Sequence, residues 1–395
     1  MNDKKVVLNP GREMPIRNNH QWIFSGAIKS TPHYNNGEIM PVYTFEGEML
    51  GHAYFNNDTV IAGRMINFDD TDPLVSLKRN IFRAITLRKN IFKEDTNCYR
   101  LINGEGDGIS GLVADKYNNV IVLQIVSTGI DKLKEIIVKN IIEGCKEILN
   151  EDIGCVYEKS TIHARKKDGL ESFEGALYGK LPHTLIVKEN NIKFIVDVSN
   201  SQKTGLFLDQ REMRNLIGSL AKDKKVLNTF SYTGGFSLYA AKEGARKITS
   251  VDISEDAIEL SKKNFEINGF TSDDNEFITQ DAFEFLHDDD LNYDLIILDP
   301  PAFAKKKEDV MKAKRGYKDI NRTTLRKMPS KSFLLTCSCS YHVPEDLFQK
   351  IIMDSALDAK RNVRIIQKHR LGMDHPINIF HSEINYLKSI LLYVD

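Results

Sequence analysis

Long apolar runs are missing from this 395-residue chain. None approaches the roughly 18 residues that a membrane-crossing helix needs, and the opening MNDKKVVLNPGREMP lacks the apolar core of a signal peptide. The expectation is a soluble, cytoplasmic protein with no membrane partner. Cysteine is scarce and odd in number: Cys98, Cys145, Cys155, Cys337 and Cys339. That is too few for a disulfide scaffold at this length. No second Cys/His pair stands at zinc-ribbon spacing, so no metal is expected. An excess of one charge is also lacking. Lys plus Arg is 54 against 55 Asp plus Glu, which excludes a histone-like polycation and an acidic tail. It leaves nucleic-acid binding open, because local basic stripes govern affinity. Internal repeats and low-complexity segments are absent. With 41% hydrophobic and 28% charged residues, the chain reads as globular and not disordered, and its length suggests two or three domains.

Texture divides what is present into three. Residues 1–70 carry short strand-like runs, MPVYTF and EMLGHAYF. Asn35-Asn36-Gly37 and Glu46-Gly47-Glu48 read as hairpin turns, which predicts a small β-domain. Residues 73–188 mix helix and strand. Pro73 opens a helix with Leu74, Leu77, Ile81, Ile85 and Phe92 mostly at helical spacing. A hairpin follows around Asn118-Asn119, and then the helical DKLKEIIVKNIIEGCKEIL. From 190 to 395, short apolar runs alternate with helical patterns, which predicts an α/β fold with a mostly parallel sheet covered on both faces. Ser254 reads as an N-cap with Asn268-Gly269 at the stop, and Pro344 as a helix start.

The third region carries the chemistry. VLN-TFSYTGGFSLYAA reads as strand, turn and helix. Gly234 and Gly235 allow a tight turn and close approach of a ligand at a helix N-terminus; a plain turn is the competing reading. The G-x-G-x-x-G fingerprint is absent, which argues against a nicotinamide cofactor. Asp252 ends the second strand, where an acid accepts from ribose hydroxyls or else caps a helix. Asp281 follows the third strand, facing an adenine amine or capping a helix. In YDLIILDPPAF a buried strand delivers Asp299. Pro300 and Pro301 stop it and remove two donors, leaving carbonyls and a carboxylate for a planar ligand on which Phe303 could stack. SKSFLLTCSCSYHV then sets Cys337 and Cys339 at the carboxyl end of the fifth strand. At that edge a thiolate can serve as a nucleophile. His342, as a lone residue, reads as structural.

This order of glycine turn, acid, acid and DPP resembles class I S-adenosylmethionine (SAM)-dependent methyltransferases, with one departure: Asn228 stands where many carry an acid. The blocks NNHQWIFSGAI, RLINGEGDGISGLVADKY, QKTGLFLDQREMR, FSYTGGFSLYAA, DPPAFAKKKEDVMKAKRGYKDIN and SCSYHVPEDLF resemble those of one bacterial family. It is the PUA-domain-containing ribosomal RNA large-subunit cytosine-5 methyltransferases, and the likeness runs from about residue 10 to the C-terminus.

The resemblance implies an N-terminal PUA-like RNA-binding β-barrel (1–70), a central small α/β domain (73–188) and a C-terminal Rossmann-like methyltransferase domain (190–395). It implies SAM as cofactor and large-subunit ribosomal RNA as partner. Phe230, Ser231, Gly234 and Gly235 match the SAM turn, Asp252 the ribose acid, Asp281 the adenine contact, and Asp299 the acid shared by cofactor and base. Gln210 and Arg211 match the segment covering the pocket. The nucleophile would be Cys339, in Ser338-Cys339-Ser340, ahead of Cys337. Pro301 occupies the place of the second cysteine of other RNA cytosine-5 methyltransferases.

Methylation of an exocyclic guanine or adenine nitrogen, which needs no cysteine, is the nearest alternative. A non-catalytic RNA-binding assembly factor is another, and a dehydrogenase a distant third. Two basic stretches suit RNA: Lys78, Arg79, Arg83, Arg88, Lys89 and Lys93 on the first helix, and Lys305, Lys306, Lys307, Lys312, Lys314, Arg315 and Lys318 after DPPAF. A solvated face is the bland reading of both. The oligomeric state stays open between monomer and homodimer.

Overall fold

Period-two burial governs the start of the chain. In this computed structural model, which describes residues 4–201, 204–270, 273–381 and 386–395, Ile39–Tyr43 buries Met40 and Val42 on one face. It lies in a six-stranded sheet with Val6–Leu8, Trp22–Phe24, Ile28–Ser30, Met49–Phe55 and Ile61–Asn67. Glu46-Gly47-Glu48 is a hairpin turn as expected: Gly47 has φ +93° and the Thr44 N–H donates to the Glu48 carbonyl at 2.8 Å. Asn35-Asn36-Gly37 is not. The strand before it, Ile28–Ser30, pairs with Val6–Leu8, so this segment is a loop. The Asn36 side chain holds it, accepting from the Asn57 N–H at 2.9 Å and donating to Asp58 at 2.6 Å.

The helix Pro73–Ile91 starts where expected. Proline needs no donor at the first position, and Asp72 accepts from the N–H groups of Leu74 and Val75. Leu77, Ile81, Ala84 and Ile85 join a core with Leu101, Leu123, Ile137 and Ile141. Beside them lies a five-stranded sheet of Cys98–Asn103, Leu112–Tyr117, Val120–Ile125, Cys155–Ser160 and Phe173–Gly179. Its Asn118-Asn119 hairpin has Asn118 at φ +57°.

One cation of the basic helix is misread from sequence. Arg88 is 0% exposed. Its guanidinium grips Asp107 at 2.6 and 2.8 Å and donates to the carbonyls of Arg100 at 2.8 Å and Asp374 at 2.7 Å. It is a buried structural clamp. Lys78 pairs with Glu143 at 2.5 Å and Arg79 with Asp69 at 3.7 Å, which leaves Arg83, Lys89 and Lys93 open to solvent.

These sheets belong to one compact unit, Met1–Lys188, Val196–Leu208 and Met373–Ile384; the second comprises Glu189–Ile195, Asp209–Gly372 and Asn385–Asp395. The second unit carries a seven-stranded sheet: β1 (Lys225–Thr229), β2 (Lys247–Asp252), β3 (Asn275–Thr279), β4 (Leu295–Leu298), β5 (Ser332–Ser338), β6 (Val363–His369) and β7 (Lys388–Val394). They lie in the order β3-β2-β1-β4-β5-β7-β6. The first five are mutually parallel, and β7 runs antiparallel to both of its neighbours, β5 and β6. β4 is buried on both faces, as a central parallel strand must be. The helices are α1 (Arg211–Leu220), α2 (Gly235–Lys242), α3 (Glu255–Asn268), α4 (Ala282–Asp288), α5 (Val310–Lys327) and α6 (Glu345–Ala359). Ile320, Phe348 and Ile351 from α5 and α6 share one core with Leu227, Ile296, Leu334 and Leu392 of the sheet. Parallel strands put their carboxyl ends on one edge, and strand order reverses beside β1, where open α/β sheets bind ligands.

Candidate active site

The turn after β1 is strained. Phe230, Tyr232 and Gly234 have φ of +56°, +47° and +80°, a region that costs a non-glycine residue of order 1–3 kcal/mol. Backbone and side chain hold it there. The Ser231 N–H donates to the Val251 carbonyl at 3.0 Å, and the Gly234 N–H to the Ser231 carbonyl at 2.9 Å. Asp252 accepts from the Tyr232 N–H at 2.8 Å and the Ser254 N–H at 3.0 Å. The ribose-acid candidate therefore also anchors the turn.

Two buried oxygens here, Ser231 Oγ and Asn228 Oδ1, have no hydrogen-bond partner among the described residues. Buried polar atoms are seldom left so, and a polar ligand against the turn would satisfy the serine. The glycines answer to packing. A Cβ on Gly234 would meet Ser261 Oγ at 2.2 Å, and one on Gly235 would stand 3.0 Å from Arg214 Cδ. Close approach is needed here by α3 and α1.

Asp281 caps α4: its Oδ1 accepts from the N–H groups of Phe283 at 2.7 Å and Glu284 at 3.3 Å. Arg211 is buried and lies 3.3 Å from the carboxylate of Glu189. Glu189, which sequence reasoning missed, is fully buried; it accepts from Arg214 at 2.8 and 2.7 Å and from the Tyr239 hydroxyl at 3.0 Å. No motif marks it.

Gln210, Asp299 and Cys337 come together in one chain of hydrogen bonds. Gln210 Nε2 donates to Asp299 Oδ1 at 3.1 Å, Ser389 Oγ donates to Gln210 Oε1 at 3.4 Å, and Cys337 Sγ donates to Ser389 Oγ at 3.4 Å. Cys337 is 0% exposed. Burial, and then the charge of Asp299, push its thiol well above the usual range. Cys339 lies just beyond the end of β5. It is half-buried, with its sulfur 3.8 Å from the Pro300 carbonyl. Of the five cysteines it alone is not buried.

The RGYKDIN block explains how this edge is built. Tyr317 is buried and its hydroxyl meets Ser338 Oγ and Ser340 Oγ, each at 3.0 Å. Ser340 Oγ in turn accepts from the Ala304 N–H at 3.1 Å. The DPPAF turn and the Ser338-Cys339-Ser340 element are thus tied to α5. A Cβ on Gly316 would stand 3.2 Å from the ring of Phe303. That ring packs on Tyr317 with centroids 4.6 Å apart, and 5.8 Å from Phe283. Phe303 therefore belongs to an internal aromatic stack. His342 packs its ring edge-on to Tyr341 at 5.3 Å.

After DPPAF, Lys306, Lys314 and Lys318 pair with Glu308, Asp354 and Asp358 at 3.5, 4.0 and 2.8 Å. Lys305, Lys307, Lys312 and Arg315 are exposed and outside every ion pair among the described residues. Among those residues no group of three or more His, Cys, Asp or Glu could hold a metal ion, and no helix is long and apolar enough to cross a membrane.

Comparison with known proteins agrees with this geometry. Residues 164–360 match a family model described as S-adenosylmethionine-dependent methyltransferase, and residues 6–68 one described as PUA-like domain. A curated relative from Alteromonas mediterranea, named ribosomal RNA large subunit methyltransferase I, is 39% identical over 99% of this chain and 98% of its own length. One of the same name from Pseudoalteromonas atlantica is 40% identical over 99% of each. The chain belongs to this family. A solved structure described as a methyltransferase complexed with SAH has a TM-score of 0.81 and 25% identity over 98% of this chain and 99% of that one. This family member is accordingly a SAM-dependent methyltransferase, an α/β enzyme with a PUA-like N-terminal domain. The orphaned Ser231 oxygen and the Asp252 carboxylate, at the carboxyl edge of β1 and β2, fit that cofactor.

Proposed function

We infer that this methyltransferase modifies carbon 5 of a cytosine in large-subunit ribosomal RNA, with Cys339 as the nucleophile. The RNA class is carried over from the names of the relatives. The base chemistry rests on one observation: the only cysteine that is not buried stands at the carboxyl end of β5, against the carbonyl of Pro300, the residue that follows Asp299 in the chain. Residues 1–70 are read as the RNA-binding module, 73–188 as a central domain and 190–395 as the catalytic domain. Such a substrate puts the enzyme in the cytoplasm.

Phe230, Ser231, Gly234, Gly235, Asp252, Asp281, Gln210, Arg211 and Asp299 would hold SAM, which supplies an electrophilic methyl group. Carbon 5 of cytosine is a poor nucleophile. The Cys339 thiolate forms a bond to carbon 6, and the ring electrons move so that carbon 5 becomes enamine-like and able to take a methyl group. Asp299 hydrogen-bonds the base edge as charge develops on the ring. Once methylated, carbon 5 gives up its proton to a base and the sulfur–carbon bond breaks, which restores both the aromatic ring and the thiolate. The base reaches the pocket unstacked from its neighbours, at a cost of a few kcal/mol. Exposed Lys305, Lys307, Lys312 and Arg315 would track phosphates beside it.

Nucleoside mass spectrometry of large-subunit ribosomal RNA, from cells with and without this gene, tests the reading. Loss of a 5-methylcytidine is expected. Loss of an N-methylated guanosine or adenosine would overturn the carbon-5 chemistry, and no loss together with no SAM binding would favour a non-catalytic assembly factor.

A further inference from the structure

Lys388 opens β7, the strand paired with β5, directly opposite Ser338. It is 6% exposed. Lysine is almost never this buried without an anionic partner, because removing an ammonium from water is costly. Yet no carboxylate stands within ion-pair distance of it among the described residues. Its Nζ donates to the carbonyl of Ser340, the residue that follows Cys339, at 2.7 Å.

Two acidic groups would act on it electrostatically when ionised, Cys339 and Glu345. Glu345 is already neutralised, paired with Lys368 at 3.1 Å and Arg370 at 2.9 Å. The sulfur of Cys339 is then the group whose ionisation would compensate the buried ammonium. The third anion of the region, Asp299, is turned toward Gln210 and acts on Cys337.

We propose that Lys388 is a positioning residue for Cys339: it holds the loop by the Ser340 carbonyl, and its positive charge keeps the Cys339 sulfur as the thiolate. This rests on the reading of Cys339 as the nucleophile. The thiol proton passes to solvent, and the ammonium offsets the negative charge left on the sulfur. Burial brings the Lys388 ammonium down from its ordinary 10.5 to about 8, so at neutral pH it stays charged.

Iodoacetamide alkylation of the full-length protein, followed by pH with peptide mass spectrometry, reads the Cys339 thiolate directly, since the other four cysteines are buried. In the wild-type protein the rate at Cys339 should reach half its plateau below about 8.5, the value for free cysteine. K388M should move that midpoint up and slow alkylation at pH 7 by about 10-fold, one pKa unit's worth, and K388R should restore most of it. A wild-type midpoint at or above that of free cysteine would overturn the proposal, whether or not K388M folds. So would a folded K388M with the wild-type profile. Methylation by C339S is scored separately. If C339S stays active, the nucleophile reading fails. If C339S is dead while K388M leaves the alkylation profile unmoved, only the role of Lys388 fails.

Discussion

The helix Pro73–Ile91 and the segment from Lys305 to Lys318 carry similar sets of cations and use them differently. On the helix, Lys78 and Arg79 are ion-paired and Arg88 is locked inside. After DPPAF, Lys306, Lys314 and Lys318 are paired at the surface, Lys305, Lys307, Lys312 and Arg315 stand in water outside any ion pair among the described residues, and none of the seven is buried. The same contrast divides two cysteines two residues apart: Cys337 ends a chain of buried hydrogen bonds, and Cys339 opens onto the edge. Residue type sets what a group can do. Burial and partner decide whether it does it.

Breaking the cysteine contrast should have the largest effect. C339A should lower methyl transfer by more than about 1,000-fold, as loss of a covalent nucleophile does. C337A should stay within about 5-fold and cost about 1–2 kcal/mol of stability, the ordinary price of a core change. Single-turnover methylation and urea unfolding report the two. Arg88 against Arg315 is the next test. R88M should destabilise the fold by about 3–5 kcal/mol, because it leaves Asp107 charged and unpaired in the interior. R315Q should change stability by no more than about 0.5 kcal/mol.

Neutralising Lys305, Lys307, Lys312 and Arg315 together should weaken RNA binding and flatten its salt dependence by about 3 in the log–log slope, close to one per contact. The same treatment of Arg83, Lys89 and Lys93 should do less. A smaller effect is expected at Lys388. Its proton is held more weakly in the folded chain, at about 8, than at the ordinary 10.5. Between those values the unfolded chain binds more protons than the folded one, so wild-type stability should rise with pH across that window relative to K388M. A stability difference between wild type and K388M that does not change across that window would mean that Lys388 titrates in the folded chain as it does in the unfolded one. D281A should cost about 1 kcal/mol of thermal or urea stability through the lost cap of α4.

The five parallel strands were largely legible in the sequence. Four of them, β1, β2, β4 and β5, are mostly buried and read as short apolar runs, and two helix starts were marked: Ser254 caps α3 and Pro344 precedes α6. β6 was not legible, because its residues are mostly exposed on both faces and show neither a run nor alternation. Asp252, Asp281 and Asp299 lie at strand ends as the motif spacing implied, yet Asp281 also serves as the helix cap that spacing alone could not exclude. What escaped was burial through distant partners. Nothing near Arg88 in sequence announces Asp374, nothing near Lys388 announces Ser340, and Glu189 has no motif around it. The RGYKDIN block was visible as a signature, but its work became clear only when Tyr317 was seen to hold Ser338 and Ser340.

The central claim is that Cys339 bonds to the target base. Incubating the full-length enzyme and SAM with large-subunit RNA carrying 5-fluorocytosine should trap that bond, since fluorine on carbon 5 cannot leave as a proton does. A protein–RNA adduct that survives denaturation, with mass spectrometry placing the link on the Cys339 peptide and none formed by C339S, is the predicted result. Methylation of unmodified RNA without any adduct on the fluorinated RNA, or a link through Cys337, would contradict it.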